Sequence, residues 1–184
     1  MAGPLVAAAV LIDYEVLSHA DRRALGGLHD SKQMTHDQRE ELYPCVLRAA
    51  ARVSVVARCV RGIDSRGLHV TNLQALASAL ERLEPNGATC LVDGFSLRDC
   101  AVEHRAVIEG DGTSAAIAAA SIVAKVTRDR YMRRAGERHP GWGFDVNVGY
   151  STPDHREAIA RNGITALHRR SFQSVAYSQL DLTT

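Results

Sequence analysis

The chain has 184 residues, 46% of them hydrophobic and 23% charged, with a formal net charge of +1. That is the profile of an ordinary globular domain with a full core; the near-zero charge excludes a uniformly basic nucleic-acid coat and leaves room only for a local basic patch. Cys45, Cys59, Cys90 and Cys100 are scattered without a C-x-x-C pair, which excludes a disulfide framework or zinc spacing and suits a reducing cytoplasm, the expected location.

In chain order, the opening run PLVAAAVLI at residues 4–12 is continuous and apolar, lacks a basic n-region ahead of it, and is ended by Asp13. It reads as a buried strand, too short for a membrane span and unlike a signal peptide. Asp30-Ser31-Lys32 follows on a polar stretch, and Thr35-x-x-Gln38 has the capping-box pattern of a helix running to about Ala51, with Pro44 inside it. VSVVARCV at 53–60 is β-branched and reads as a strand. Thr71-x-x-Gln74 repeats the capping-box spelling and predicts a helix to about Leu83, stopped by Pro85-Asn86-Gly87. Residues 88–92 form a short strand delivering Asp93 to its C-terminal end, and a further strand near 101–108 leads to Gly110-Asp111-Gly112-Thr113-Ser114. From Ala115 to Arg130 the run AAIAAASIVAKVTRDR lacks Gly and Pro and predicts a long helix, N-capped by Thr113 or Ser114, with Ile117, Ala120, Ala124 and Tyr131 on one apolar face. His139-Pro140-Gly141 ends it, 142–150 is a loop or turn, and Pro153 starts a short helix that Gly163 stops. Strands alternating with helices imply an α/β fold.

Two acids stand out as site candidates. Asp93 ends a strand and Asp111 sits just ahead of a helix, positions where a rigid scaffold presents catalytic groups. Two converging carboxylates suit Mg²⁺ or Mn²⁺, which prefer oxygen ligands. Taken singly, Asp93-Gly94 is also an ordinary turn pair and Asp111 an ordinary complement to a helix dipole. Around them are groups suited to a polyanion: Ser31 and Lys32 on a loop, Lys125 and Arg128 at i, i+3 on the long helix, Ser151 and Thr152 as phosphate donors, Arg169 and Arg170 as adjacent cations, and Tyr150 as a stacking ring. His168 reads as a capping or packing residue. Gly110-Asp111-Gly112 matches neither a Walker loop nor a dinucleotide fingerprint.

Segments spread over nearly the whole chain resemble the ribonuclease HII family: AGPLVAAAVL at the start, Asp30-Ser31-Lys32, Leu91-Val92-Asp93-Gly94, Gly110-Asp111, IAAASIVAKVTRDR at 117–130, Pro140-Gly141-Trp142-Gly143-Phe144, Gly149-Tyr150-Ser151-Thr152 and His168-Arg169-Arg170-Ser171-Phe172. The resemblance implies an α/β, ribonuclease H-like mixed sheet flanked by helices, spanning 1–175 (core 1–137, helical part 138–175) before a tail at 176–184. It implies an endonuclease that cuts RNA in RNA–DNA hybrids, or at ribonucleotides embedded in DNA, by two-metal hydrolysis with Mg²⁺ or Mn²⁺, and acts as a monomer away from membranes. By motif position Asp93 and Asp111 match the third and fourth metal-binding acids and Tyr150 the tyrosine near the RNA–DNA junction. The family's first two acids lie in a D-E-A-G-R-G motif ahead of the segment matching Ala2-Gly3-Pro4, on a central strand between the one matching 4–12 and the one ending at Asp93; 1–184 carry neither. Thr113 and Val148 stand where lysine is usual. The alternative expectation is a non-catalytic nucleic-acid binder of the same family.

Overall fold

The computed structural model describes residues 1–28 and 34–172. Among the described residues, four strands and eight helices follow one another as β1 (Leu5–Leu11), α1 (His19–Gly26), α2 (His36–Ala49), β2 (Arg52–Arg58), α3 (Val60–Arg66), α4 (Leu68–Leu83), β3 (Leu91–Asp93), β4 (Arg105–Val107), α5 (Gly110–Thr113), α6 (Ala115–Arg138), α7 (Phe144–Asn147) and α8 (Pro153–Asn162). The chain divides into two compact units that interleave along the sequence: a first made of Met1–Leu5, Arg58–Thr71 and the chain from Thr127 onward, and a second made of Val6–Ala57 and Asn72–Val126. Because the chain passes back and forth between them, no linker marks the division.

The second unit holds the strands apart from their end residues Leu5 and Arg58. β1 pairs with β2, and β3 pairs in parallel with β4, with Leu91, Val92 and Asp93 opposite Arg105, Ala106 and Val107. Among the described residues these are two separate two-stranded sheets. Between them lies an apolar slot of about 360 Å³. Its walls include residues 6–11 of β1 and 88–93 around β3 in unbroken runs, whereas the face of a strand would contribute alternate residues only. Both strands therefore present an edge to the slot. Ile117, Ala120 and Ala124 of α6 and Leu76 and Leu80 of α4 line it as well.

The main core of this unit packs Ala118, Ala119, Ile122, Val123 and Val126 of α6 against Ala8, Leu25, Val46 and Ala49. The buried stripe of α6 is thus one position removed from the face expected from the sequence: Ala120 and Ala124 line the slot and Tyr131 is exposed. Alanines at 118 and 119, both fully buried, allow the close approach.

Local signals account for most element ends. Thr35 and Gln38 form the expected reciprocal capping box of α2, with Thr35 N to Gln38 Oε1 at 2.8 Å and Gln38 N to Thr35 Oγ1 at 3.3 Å. The same spelling at Thr71-x-x-Gln74 does not cap a helix. α4 begins at Leu68, and Thr71 is buried within it, its hydroxyl donating to the carbonyl of Gly62 at 3.3 Å. Thr71 N donates to the carbonyl of Gly67 at 3.2 Å, so the residue lies inside the helix and not at its cap. α1, α3, α5 and α7 have no counterpart among the elements expected from the sequence; α7 falls in the stretch expected to be a loop, and its Phe144 is fully buried in a cluster with Ala2, Met132 and Val148. Thr152 caps α8, accepting from His155 N at 3.2 Å, with Pro153 at its first turn.

Candidate active site

Asp93 is the last residue of β3. Gly94, at φ 78°, turns the chain away and donates its N–H to Val107 of the neighbouring strand at 2.8 Å. β4 then runs through Ile108 and the left-handed Glu109 into Gly110, whose N–H donates to Asp93 Oδ1 at 2.9 Å. The bond joins the strand-end acid to the residue next to Asp111. Gly110 eases this approach: a Cβ there would lie 2.5 Å from Ile117 Cδ1 and 3.3 Å from Val107 Cβ, so both side chains would have to shift. Asp111 lies not in a loop just ahead of the long helix, as expected from the sequence, but inside the four-residue helix α5, and it is 4% exposed. Ser114 follows as a weak cap of α6, accepting from Ile117 N at 3.5 Å.

The donors at this end of the second unit are two carboxylates, hard oxygen ligands that fit one Mg²⁺ or Mn²⁺ completed by water. Among the described residues no group of three or more His, Cys, Asp or Glu side chains is placed to hold a metal ion. Asp93 and Asp111 are thus the two oxygen donors available here to an ion. Lys125, in the same unit, is half-buried on α6. Ser31 and Lys32 lie outside the described residues.

The remaining sequence candidates belong to the first unit. Tyr150 is 40% exposed, with the guanidinium of Arg128 5.1 Å from its ring centroid. Arg128 itself is buried, donating to the carbonyls of Ala2 at 2.9 Å and Pro4 at 3.3 Å, so it props the tyrosine and is not the solvent-facing cation expected from its spacing with Lys125. Ser151 is exposed, and Thr152 uses its hydroxyl as a helix cap.

Arg169 is also placed inside: it is 4% exposed, with Nε donating to Gly3 at 2.9 Å, Nη2 donating to Pro4 at 3.0 Å, and its guanidinium over the Phe172 ring. Arg170 is exposed. Its backbone N–H and that of Ser171 are held by the carboxylate of Asp64 at 3.1 and 2.9 Å, and the Ser171 hydroxyl donates to the same group at 2.6 Å. Desolvation raises the Asp64 pKa, but the Ser171 hydroxyl, these two N–H groups and the Arg170 charge outweigh it and hold the carboxyl below its ordinary value.

Asp64 was not found from sequence. It sits on α3 and its partners are more than a hundred positions away, so no local pattern marks it. His155 was missed for the same reason. It and His168 are fully buried and touch each other. Burial pushes His168 down to about 4, with His155 and the N-terminal ammonium adding to the shift; burial also lowers His155.

Comparison with known proteins places these sites in context. A family model described as Ribonuclease HII matches residues 1–175. A ribonuclease HII of Nocardia farcinica is 45% identical over 95% of this chain and 67% of its own length. One from Geobacillus kaustophilus is 41% identical over 95% of this chain and 64% of its own, so the chain spans less than two thirds of that relative. The crystal structure of the ribonuclease H2 from Pyrococcus horikoshii OT3 superposes with a TM-score of 0.77 at 24% identity, covering 99% of this chain and 92% of that one, a likeness of fold. Among the described residues no helix is long and apolar enough to cross a membrane. The two-stranded sheets, the helices that flank them and the match over residues 1–175 converge on one assignment: the chain belongs to the ribonuclease HII family.

Proposed function

We propose that the chain carries half of the metal site and part of the substrate surface of an endonuclease that hydrolyses RNA in RNA–DNA hybrids and nicks at ribonucleotides embedded in DNA. The observation that carries this reading is the 2.9 Å bond from Gly110 N to Asp93 Oδ1, which sets the strand-end acid beside the buried Asp111. Asp93 and Asp111 would hold a divalent ion, Mg²⁺ or Mn²⁺, whose role when bound is to activate water or stabilise charge on the leaving oxygen. Gly110 fixes the Asp93 carboxylate. Lys125, Arg170 and Ser151 contact phosphates, which position a duplex without reading its sequence. Tyr150 stacks on a sugar or base. Arg169 supports the segment that presents Arg170 and does not itself reach a phosphate. The expected setting is cytoplasmic, and the acting species a monomer.

A second reading, binding without cleavage, is favoured by the lack, among the described residues, of any group of three or more His, Cys, Asp or Glu side chains placed to hold a metal ion. One experiment separates the two. Residues 1–184, and the same residues joined behind a strand bearing D-E-A-G-R-G, are each incubated with a labelled RNA–DNA hybrid and Mg²⁺ or Mn²⁺. The first should bind and cut negligibly. The second should cut, and Asp93→Asn should lower that activity on the order of a hundredfold or more, as expected for loss of an inner metal ligand. Asp93-dependent cutting by residues 1–184 alone would show that no further acids are needed. Failure of the extended chain to cut would leave the binding reading.

A further inference from the structure

Tyr150 ends a sharply turned segment. Val148 and Gly149 both have positive φ, 42° and 82°, and a Cβ on Gly149 would lie 2.5 Å from the carbonyl oxygen of Ala2. Such a backbone does not hold its shape through local preference, because a β-branched residue disfavours this conformation. It needs partners. The Tyr150 N–H donates to Asn147 at 2.8 Å. The Tyr150 carbonyl accepts from Thr152 N at 2.9 Å and from His155 Nδ1 at 2.6 Å.

The hydrogen-bond partners around His155 assign the protons. A backbone carbonyl only accepts, so His155 carries its proton on Nδ1 and leaves Nε2 bare. A backbone N–H only donates, and Thr165 N lies 2.8 Å from His168 Nδ1, so His168 is bare there and carries its proton on Nε2. The two Nε2 atoms are 3.1 Å apart, and the donor of one ring faces the acceptor of the other. The bonds run in one direction, from Thr165 N–H through His168 and His155 to the carbonyl of Tyr150. Thr165 Oγ1, 3.0 Å from His168 Nδ1, faces the same ring nitrogen. Both rings are neutral, in keeping with the lowered pKa of each. His168 is in turn fixed by its bridge to Ala2.

We propose that His155 is a positioning residue for Tyr150: its Nδ1–H, oriented by His168, holds the main chain that presents the tyrosine ring to substrate. The proposal rests on the reading of Tyr150 as a stacking residue. It gives the two buried histidines a role apart from metal or proton-transfer chemistry, and it makes the choice of proton-bearing nitrogen on each ring the functional feature.

Two measurements on the full chain test it. Long-range ¹H–¹⁵N spectra of the imidazoles should show the proton on Nδ1 in His155 and on Nε2 in His168; the opposite tautomer at His155 would overturn the proposal, whatever the variants do. Affinity for a labelled RNA–DNA hybrid is then compared for wild type, Tyr150→Ala, His155→Phe and His155→Asn. Tyr150→Ala should cost about tenfold, the size of one lost base–aromatic stack. His155→Phe should cost a similar factor alone and nothing further in the Tyr150→Ala background, the non-additivity of residues acting as one unit. His155→Asn keeps a donor near the Nδ1 position and should recover binding to within roughly twofold of wild type, with the salt slope unchanged because no phosphate contact is lost. A merely structural histidine would give additive losses and no recovery by Asn, which overturns the proposal. If Tyr150→Ala binds like wild type, the stacking reading itself fails and the proposal falls with it. If Tyr150→Ala binds weakly while folded His155→Phe does not, only the positioning role is lost. Should His155→Phe fail to fold, the tautomers and the His155→Asn double variant with Tyr150→Ala decide.

Discussion

The slot end of the second unit and the histidine cluster of the first are built on opposite terms. Around the cluster, backbone groups of the opening residues find partners far along the chain: Ala2 N bonds Gly149, Gly3 N bonds Leu167, Met1 O accepts from Arg169 N, and the carbonyls of Gly3 and Pro4 accept from the Arg169 guanidinium. Around the slot, two strand edges face an apolar space lined by alanines and leucines. An N–H or C=O left without a partner away from water costs on the order of 1–3 kcal/mol, so the first region is locked by polar pairing and the second is held by helix packing. The contrast shows that a run of basic residues can be a fold device. Arg169-Arg170 reads as a pair of phosphate contacts, yet only Arg170 faces outward.

Arg169 tests the locked region most severely. Arg169→Ala removes two charge-assisted bonds to buried carbonyls, each worth about 1.5–3 kcal/mol, so the loss should be about 3–5 kcal/mol in urea unfolding. Pro4 keeps the Nε–H of Arg128 at 3.3 Å, while Gly3 loses its guanidinium donor, which sets the lower part of that range. Arg169→Lys should recover little, since an ammonium cannot span both carbonyls as a fork. A loss under about 1 kcal/mol would mean that the guanidinium is not a fold device and would return it to the phosphate reading.

Acid should open the same region while sparing the slot. His168 has a folded value of about 4, below the unfolded value of about 6.5, so the unfolded chain binds more protons between them and stability falls as pH falls through that window. The stabilisation is complete above about pH 6.5 and gone near pH 4, roughly 3 kcal/mol in all. The groups that disfavour the charge after burial itself are His155, the N-terminal ammonium and His139, which all act in the same direction. Asp64 is lowered, so its contribution is present above its unfolded value and lost only as pH drops through its folded value, at the acid end of the histidine window and below it. Denaturant unfolding at steps from pH 7.5 to 4.5 should show a slope that His168→Asn reduces, the remainder coming from His155, which burial also lowers. A flat wild-type profile would mean that the pair is not buried neutral.

How much of this was legible in the sequence depended on the range of the interaction. The α2 capping box was readable because donor and acceptor are three residues apart, and the position of Asp93 at the end of a strand was readable from the short apolar run before it, whereas α5 around Asp111 was not. Thr71 shows the limit: its spelling matched α2, but it lies inside α4, its N–H donating to the carbonyl of Gly67. Asp64, His155 and the inward turn of Arg169 were illegible, because what fixes them is a partner on another segment and no periodicity records that. The face of α6 was misjudged by one position for a related reason. An alanine-rich helix offers little contrast between its faces, so the choice falls to the surfaces it meets.

That ambiguity gives the sharpest test of the slot, with the smallest expected effect. Ala119 is fully buried in the core cluster, while its neighbour Ala120 lines the slot. Both are alanine in mid-helix, and leucine is nearly as good a helix former, so the backbone term nearly cancels. What remains is space. Ala119→Leu adds three carbons to a close-packed site and should lower stability by about 1–3 kcal/mol. Ala120→Leu puts the same atoms against the leucines and strand edges of an open apolar cavity. It should be neutral or raise stability by up to about 1 kcal/mol, the usual yield of cavity filling. Thermal and urea unfolding of the two variants read the difference directly. If Ala120→Leu is as destabilising as Ala119→Leu, the slot is closed in solution and the two strand edges meet, and the division between a locked region and an open one does not hold.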